Sequence, residues 1–308
     1  MTCKWETTFG IAPGLDESET IGEYHFKVDT NGQTFVTLSF TTEAYDEKHP
    51  DRKSHSEYAE QTICEKHIEK IRELQLIRMI HQEYLQHIHI KILERPTLLN
   101  RNELKESGVK LLRTITAGFE QTYGIFDTSN KISEAVGFFE NCVNNTTNRE
   151  SLIQVAKWLA RPEVNQNNIE KFRVVWTSFN TIFQMCAESQ NKTKNDEIKK
   201  IKGLVNLLFD TEDAKNIIYS QKNNLDSMVS FNLISQNNIT FSENLKNAIK
   251  GRNQDYLLTL KLALLCVYGI RNEIFHDGPR VEHIDNKAKV GKEFLMPFLT
   301  KCLKKLLQ

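Results

Sequence analysis

Residues 255–279 read DYLLTLKLALLCVYGIRNEIFHDGP. Leu257, Leu260, Leu264, Val267, Ile270 and Ile274 recur at three- and four-residue spacing, the pattern of a helix that buries one face. Asp277-Gly278-Pro279 closes the run, since the glycine can take the left-handed conformation of a helix end and the proline cannot continue a helix. Arg271 and Asn272 fall in the last turn, and His276 follows five residues after the arginine. Five residues advance about 500°, so Arg271 and His276 point roughly 140° apart on an ideal helix. Asn272 and His276 are four apart and share a face, a spacing at which an amide can hold an imidazole.

Outward from this segment the helical period persists. Upstream, IEKFRVVWTSFNTIFQMCAE puts Phe172, Val175, Trp176, Phe179, Ile182, Phe183 and Cys186 on one side. Three or four shorter helices are expected from there to Lys250, and a basic terminal helix from about Asn286 to Leu307. GVKLLRTITAGFEQTYGI, NKISEAVGFFENCVN and ESLIQVAKWLA, farther upstream, also carry helical spacing.

The front of the chain differs. GEYHFKVD and QTFVTLSFT are rich in β-branched and aromatic residues and flank Thr-Asn-Gly, which predicts a β-hairpin. A polar connector runs from Tyr45 to about Ser56, and Glu57 to about Leu85 reads as an amphipathic helix. HIHIKIL alternates strictly, with Ile88, Ile90 and Ile92 on one face, and predicts a third strand that ends at Pro96. The expected architecture is mainly α: a smaller N-terminal α+β region over 1–160 that contains the hairpin, then a helical bundle over 161–308.

Composition bounds the function. Hydrophobic residues make up 39% of the 308 residues and charged ones 26%, ordinary values for a globular chain. Net charge is zero, but Met1 to Glu60 holds five basic and twelve acidic residues, and Lys250 to Gln308 eleven basic and six acidic. A basic back end suits a polyanion partner. Cys3, Cys64, Cys142, Cys186, Cys266 and Cys302 form no C-x-x-C, which argues against a zinc cluster, and a reducing cytoplasm is the expected setting. MTCKWETTFG lacks the character of a signal peptide, and no run approaches the ~20 apolar residues of a membrane span. The motifs of P-loop, dinucleotide, serine-hydrolase and zinc-protease chemistry are absent. His87 and His89 alternate on one strand face with no third ligand nearby in sequence, and read as surface histidines.

Arg271-Asn272-Glu273-Ile274-Phe275-His276-Asp277-Gly278 has the form R-N-x-x-x-H at a helix end. It resembles the defining motif of HEPN domains, in the variant of the ApeA-like group, and the helix around KFRVVWTSFNTIF resembles that group too. The likeness covers about Asn165 to Gln308. It implies a helical HEPN bundle, a homodimer through the motif helices, and a metal-independent endoribonuclease of antiviral defence, abortive infection or toxin-like stress response. Carried over position by position, His276 matches the catalytic histidine, Arg271 the catalytic arginine and Asn272 the polar residue that follows it. RNA is the implied partner, and an antitoxin or trigger partner is compatible. No metal or other cofactor is expected. Lys301, Lys304 and Lys305 follow helical spacing and are expected to line a basic RNA-binding groove; Lys199, Lys200 and Lys202 form a second basic patch whose default reading is a solvated helix face. The competing reading is a HEPN-fold module without catalysis that binds RNA or dimerises.

Overall fold

The structure, a computed structural model, describes residues 2–43, 55–106, 131–140, 149–160, 167–189, 196–234, 240–251, 255–277 and 283–308. It is mostly helical, with an N-terminal antiparallel sheet followed by a helical region. Contacts divide the chain into two units, one of Met1–Gln82 with Gln86–Asn144, the other of Glu83–Leu85 with Asn145–Gln308. The sequence division at 160/161 falls sixteen residues beyond this one.

In the first unit β1 (Thr2–Ala12), β2 (Glu19–Ile21), β3 (Tyr24–Val28), β4 (Thr34–Glu43) and β5 (His89–Leu98) form a sheet in the order β2-β3-β4-β1-β5. The expected hairpin is β3 and β4, paired antiparallel with Tyr24 opposite Leu38. The central strand, β1, carries no turn signal in its sequence and was not among the expected elements. It alternates Cys3, Trp5, Thr7 and Phe9 into the core with Lys4 and Glu6 outward, as a half-buried strand must. β5 is the expected third strand, and Ile90 and Ile92 sit opposite Ile11 and Phe9. It does not end at Pro96. Between Glu6/Thr97 and Thr8/Glu94 the register slips by one residue, and Pro96 lies in that bulge on an edge strand, where its missing N–H costs no ladder bond.

A helical layer covers one face of this sheet. It runs through α1 (His55–Thr62), a π turn (Ile63–His67) and α2 (Ile68–His81). α3 (Arg101–Glu106) follows β5, and α4 (Ile132–Glu140) packs on α2 and β2. Ala59, Ile63, Ile71, Leu74 and Ile132 close the core against Trp5, Phe9, Phe26 and Leu38. Glu19 caps α4: its carboxylate accepts from Ile132 N at 2.7 Å and Ser133 N at 3.0 Å, where the helix dipole favours an anion. Fully buried Arg78 of α2 donates to Gly14 O at 2.8 Å, and burial pulls its guanidinium down to about 10. The expected helix in GVKLLRTITAGFEQTYGI lies outside the described residues, as does nearly all of the expected connector.

The second unit is helical: α5 (Arg149–Leu159), α6 (Asn168–Ser189), α7 (Glu197–Leu208), α8 (Thr211–Ser220), α9 (Lys222–Ser230), α10 (Phe241–Lys250), α11 (Tyr256–Asn272) and α12 (Ile284–Leu307). α11 is the motif helix. It touches α7, α8, α9, α10 and α12, which explains its run of apolar residues on nearly all sides. α6 and α12 pack most closely. A Cβ on Gly291 would lie 2.6 Å from the Phe172 ring, so only glycine admits this approach. Phe298 of α12 meets Phe179 and Phe209 with ring centroids 5.8 and 4.9 Å apart. Cys186, Cys266 and Cys302 are buried, and burial pushes the thiols of Cys186 and Cys266 up to about 11 and about 12, so they behave as small apolar groups. Among the described residues no helix is long and apolar enough to cross a membrane, and no group of His, Cys, Asp and Glu is arranged to hold a metal.

Candidate functional site

α11 does not stop at a simple cap. After Asn272 the backbone widens into a π turn, Glu273–Asp277. A π turn joins residues five apart where an α-helix joins those four apart, so it narrows the angle between positions 271 and 276 below that of an ideal α-helix. Glu273, its first residue, accepts from the buried Lys287 Nζ of α12 at 2.7 Å, an ion pair largely shielded from water. Lys287 also lies 6.0 Å from the Phe231 ring centroid. The turn is therefore fastened to the bundle at its start. His276 is its fourth residue; the His276 side chain, and Gly278 and Pro279, lie outside the described residues.

Arg271 projects onto aromatic surface. Its guanidinium carbon is 5.9 Å from the Trp176 ring centroid and 5.1 Å from that of Phe275. Such stacking suits a planar, weakly hydrated cation. Nη1 donates to Asn272 Oδ1 at 2.9 Å, while Nε is buried without a hydrogen-bond partner. With five N–H donors and a single hydrogen bond among the described residues, the guanidinium keeps donors unspent. Phe275, 44% exposed, has a second guanidinium over it, that of Arg173 on α6, at 5.5 Å. Two cations thus share one exposed ring.

Trp176 is the hub of this region. Buried on α6, it touches Phe172, Phe179, Phe183 and Tyr268 as well as Arg271. Tyr268 stands one turn before the motif and faces Glu197, Asn272 and Arg271. Burial and the Glu197 carboxylate push its phenol up, while Asn272 and Arg271 pull it down. Asn272 therefore neighbours both Arg271 and Tyr268.

The structure brings Arg271 and Asn272 together and sets Lys301, Lys304 and Lys305 in a different environment. Lys301 Nζ is 2.9 Å from Asp213 and 3.4 Å from Glu83, Lys304 is 3.0 Å from Glu83, and Lys305 is 2.6 Å from Asp213. Each of these lysines has a carboxylate within 3.4 Å, three cations sharing two anions, and Asp213 also closes the capping box of α8 with Asp210. Glu273 pairs with a lysine and not with Arg271. Tyr268 stands in the L-x-x-Y-x-x that precedes the motif but was given no role from sequence, and Arg173 and Lys287 were not singled out. Tyr268 precedes Arg271 by three and Asn272 by four, a shared-face spacing that joins it to the site. Arg173 and Lys287 reach the region only through tertiary packing.

No known family model, curated protein or solved structure matches this chain.

Proposed function

We propose that the chain is a metal-independent endoribonuclease of HEPN type, with Arg271, Asn272 and His276 as its catalytic residues. The observation that carries this reading is Arg271 itself, set beside the rings of Trp176 and Phe275 yet spending a single hydrogen bond among the described residues. A guanidinium seated on aromatic rings, with donors to spare, suits bidentate contact with a phosphoryl group and stabilises the charge gained in the transition state. His276 takes the proton of the RNA 2′-OH. The 2′ oxygen bonds to phosphorus, the bond from phosphorus to the 5′ oxygen breaks, and that oxygen leaves with a proton. The products are a 2′,3′-cyclic phosphate and a 5′-hydroxyl, and DNA, which lacks the 2′-OH, is not a substrate. Asn272 orients the arginine through the bond between their side chains.

The family likeness supplies the rest: a homodimer through the motif helices, work in antiviral defence or a toxin-like stress response, and control by an antitoxin or trigger. The deciding experiment is cleavage of a labelled mixed RNA in EDTA by wild type, Arg271→Ala and His276→Ala. Cleavage by wild type alone, with cyclic-phosphate ends, is the expected result; a strict magnesium requirement sinks the mechanism.

The depth of Arg271 against Trp176 favours one second reading, in which the arginine is structural and the unit binds RNA or dimerises without cutting. In that case Arg271→Ala lowers stability, and wild type binds RNA without cleaving it.

A further inference from the structure

Two sets of lysines in the second unit compete for the role of phosphate contacts, and their surroundings separate them. Lys301, Lys304 and Lys305 each sit against Glu83 or Asp213, three cations on two carboxylates, and although burial pushes these carboxyls up the lysines hold them below their ordinary values. A phosphate approaching there would have to displace two carboxylates. The other set rims a groove of about 670 Å³ bounded by Gln184 of α6, the first two turns of α7 and Tyr268 of α11. There Lys200 Nζ bonds a neutral acceptor, Gln184 Oε1, at 2.7 Å. Lys202 is exposed and makes no ion pair among the described residues.

Of the groove's two carboxylates, one is paired with a lysine. Asp196 caps α7 through Lys199 N and holds Lys199 Nζ at 3.0 Å, with Lys202 acting on it only more weakly. Glu197 faces the Tyr268 hydroxyl. Lys200 and Lys202 are thus the groove lysines without a carboxylate partner among the described residues, three lysines stand against two carboxylates, and Tyr268, which also lines the groove, has Asn272 and Arg271 as neighbours. The groove runs about 9 Å along α7 at 1.5 Å per residue, far short of the ~16 base pairs that double-strand readers span. A short cationic channel with an aromatic wall is the form that holds a single strand.

Building on the ribonuclease reading above, we propose that the α6–α7–α11 groove is the track by which single-stranded RNA reaches Arg271, with Lys200 and Lys202 holding its phosphates and Tyr268 guiding the strand toward Asn272. The α12 lysines serve stability instead.

The test measures binding of a fluorescent, uncleavable 2′-O-methyl 12-mer across a salt series by wild type, Lys200→Gln/Lys202→Gln and Lys304→Gln/Lys305→Gln. Each phosphate contact contributes about −0.7 to the slope of log K against log salt for a single strand, so the groove pair should lower the steepness by about 1.4 and weaken binding at least tenfold at low salt. The α12 pair should leave the slope unchanged and reduce thermal stability. Equal slopes for wild type and the groove variant, or loss of slope in the α12 variant alone, overturn the proposal, as does absence of binding by wild type. Cleavage of ordinary RNA is followed in parallel. Cleavage that survives in the groove variant with an unchanged KM rejects the track and leaves the ribonuclease reading standing. A groove-dependent slope without cleavage by wild type rejects the ribonuclease and keeps the track.

Discussion

Trp176 connects the core of the helical unit to its chemistry. The indole packs with the aromatic cluster of α6 and also supports the Arg271 guanidinium. Truncation to alanine therefore removes a buried ring and a platform together. Trp176→Ala is expected to cost about 3–5 kcal/mol, read as a lower denaturant midpoint with an unchanged slope. Trp176→Phe keeps much of the burial and an aromatic face, and should recover more than half of that loss. The arginine beside it was legible from sequence as part of a motif, whereas its aromatic neighbours were not. Trp176 and Phe275 are 99 positions apart, and no local pattern says that both meet one side chain.

Elements show where periodicity is a sufficient guide and where it fails. α6, α11 and α12 were readable because each buries a wide apolar stripe of three or more turns. β1 was missed because its inward positions include Cys3 and Thr7, residues whose burial depends on the strands on either side. The extension of β5 past Pro96 was missed because a proline is tolerated only at a bulge or an edge, and neither is visible before the strands are paired. The π turn after α11 belongs to the same class. Its start is fixed by the Glu273–Lys287 pair, which joins two helices across fourteen residues. Lys287→Met strands a largely buried carboxylate and should cost about 3 kcal/mol, while Lys287→Met/Glu273→Gln should regain most of it. Thermal unfolding of both variants decides the matter: equal losses would mean that the pair does not anchor the turn.

For the whole molecule, the two units carry different titrating groups and should answer differently to pH. In the first unit His67 is buried, and burial, outweighing the pull of Glu23, lowers its imidazole below the ordinary value of 6.5. Its Nδ1 is 3.0 Å from the Tyr24 hydroxyl. The unfolded chain then binds more protons than the folded one below about pH 6.5, so stability is full above that pH and falls as the pH drops through it. In the second unit the depressed carboxylates of Glu83 and Asp213 give stability that is lost only at more acid pH, below their ordinary values of 4.5 and 3.8. Melting curves between pH 7.5 and 5 should therefore show a falling midpoint for wild type and a flatter one for His67→Gln; parallel curves would remove His67 from the account. The sequence by itself determined the mainly helical character, the N-terminal hairpin and the helix that ends in Arg271 and Asn272, because local period and turn chemistry act over a few residues. Only the tertiary structure decided which strand is central and which lysines sit against carboxylates. Ion pairing and burial depend on partners distant in the chain: Asp213 lies about ninety positions from the lysines it balances.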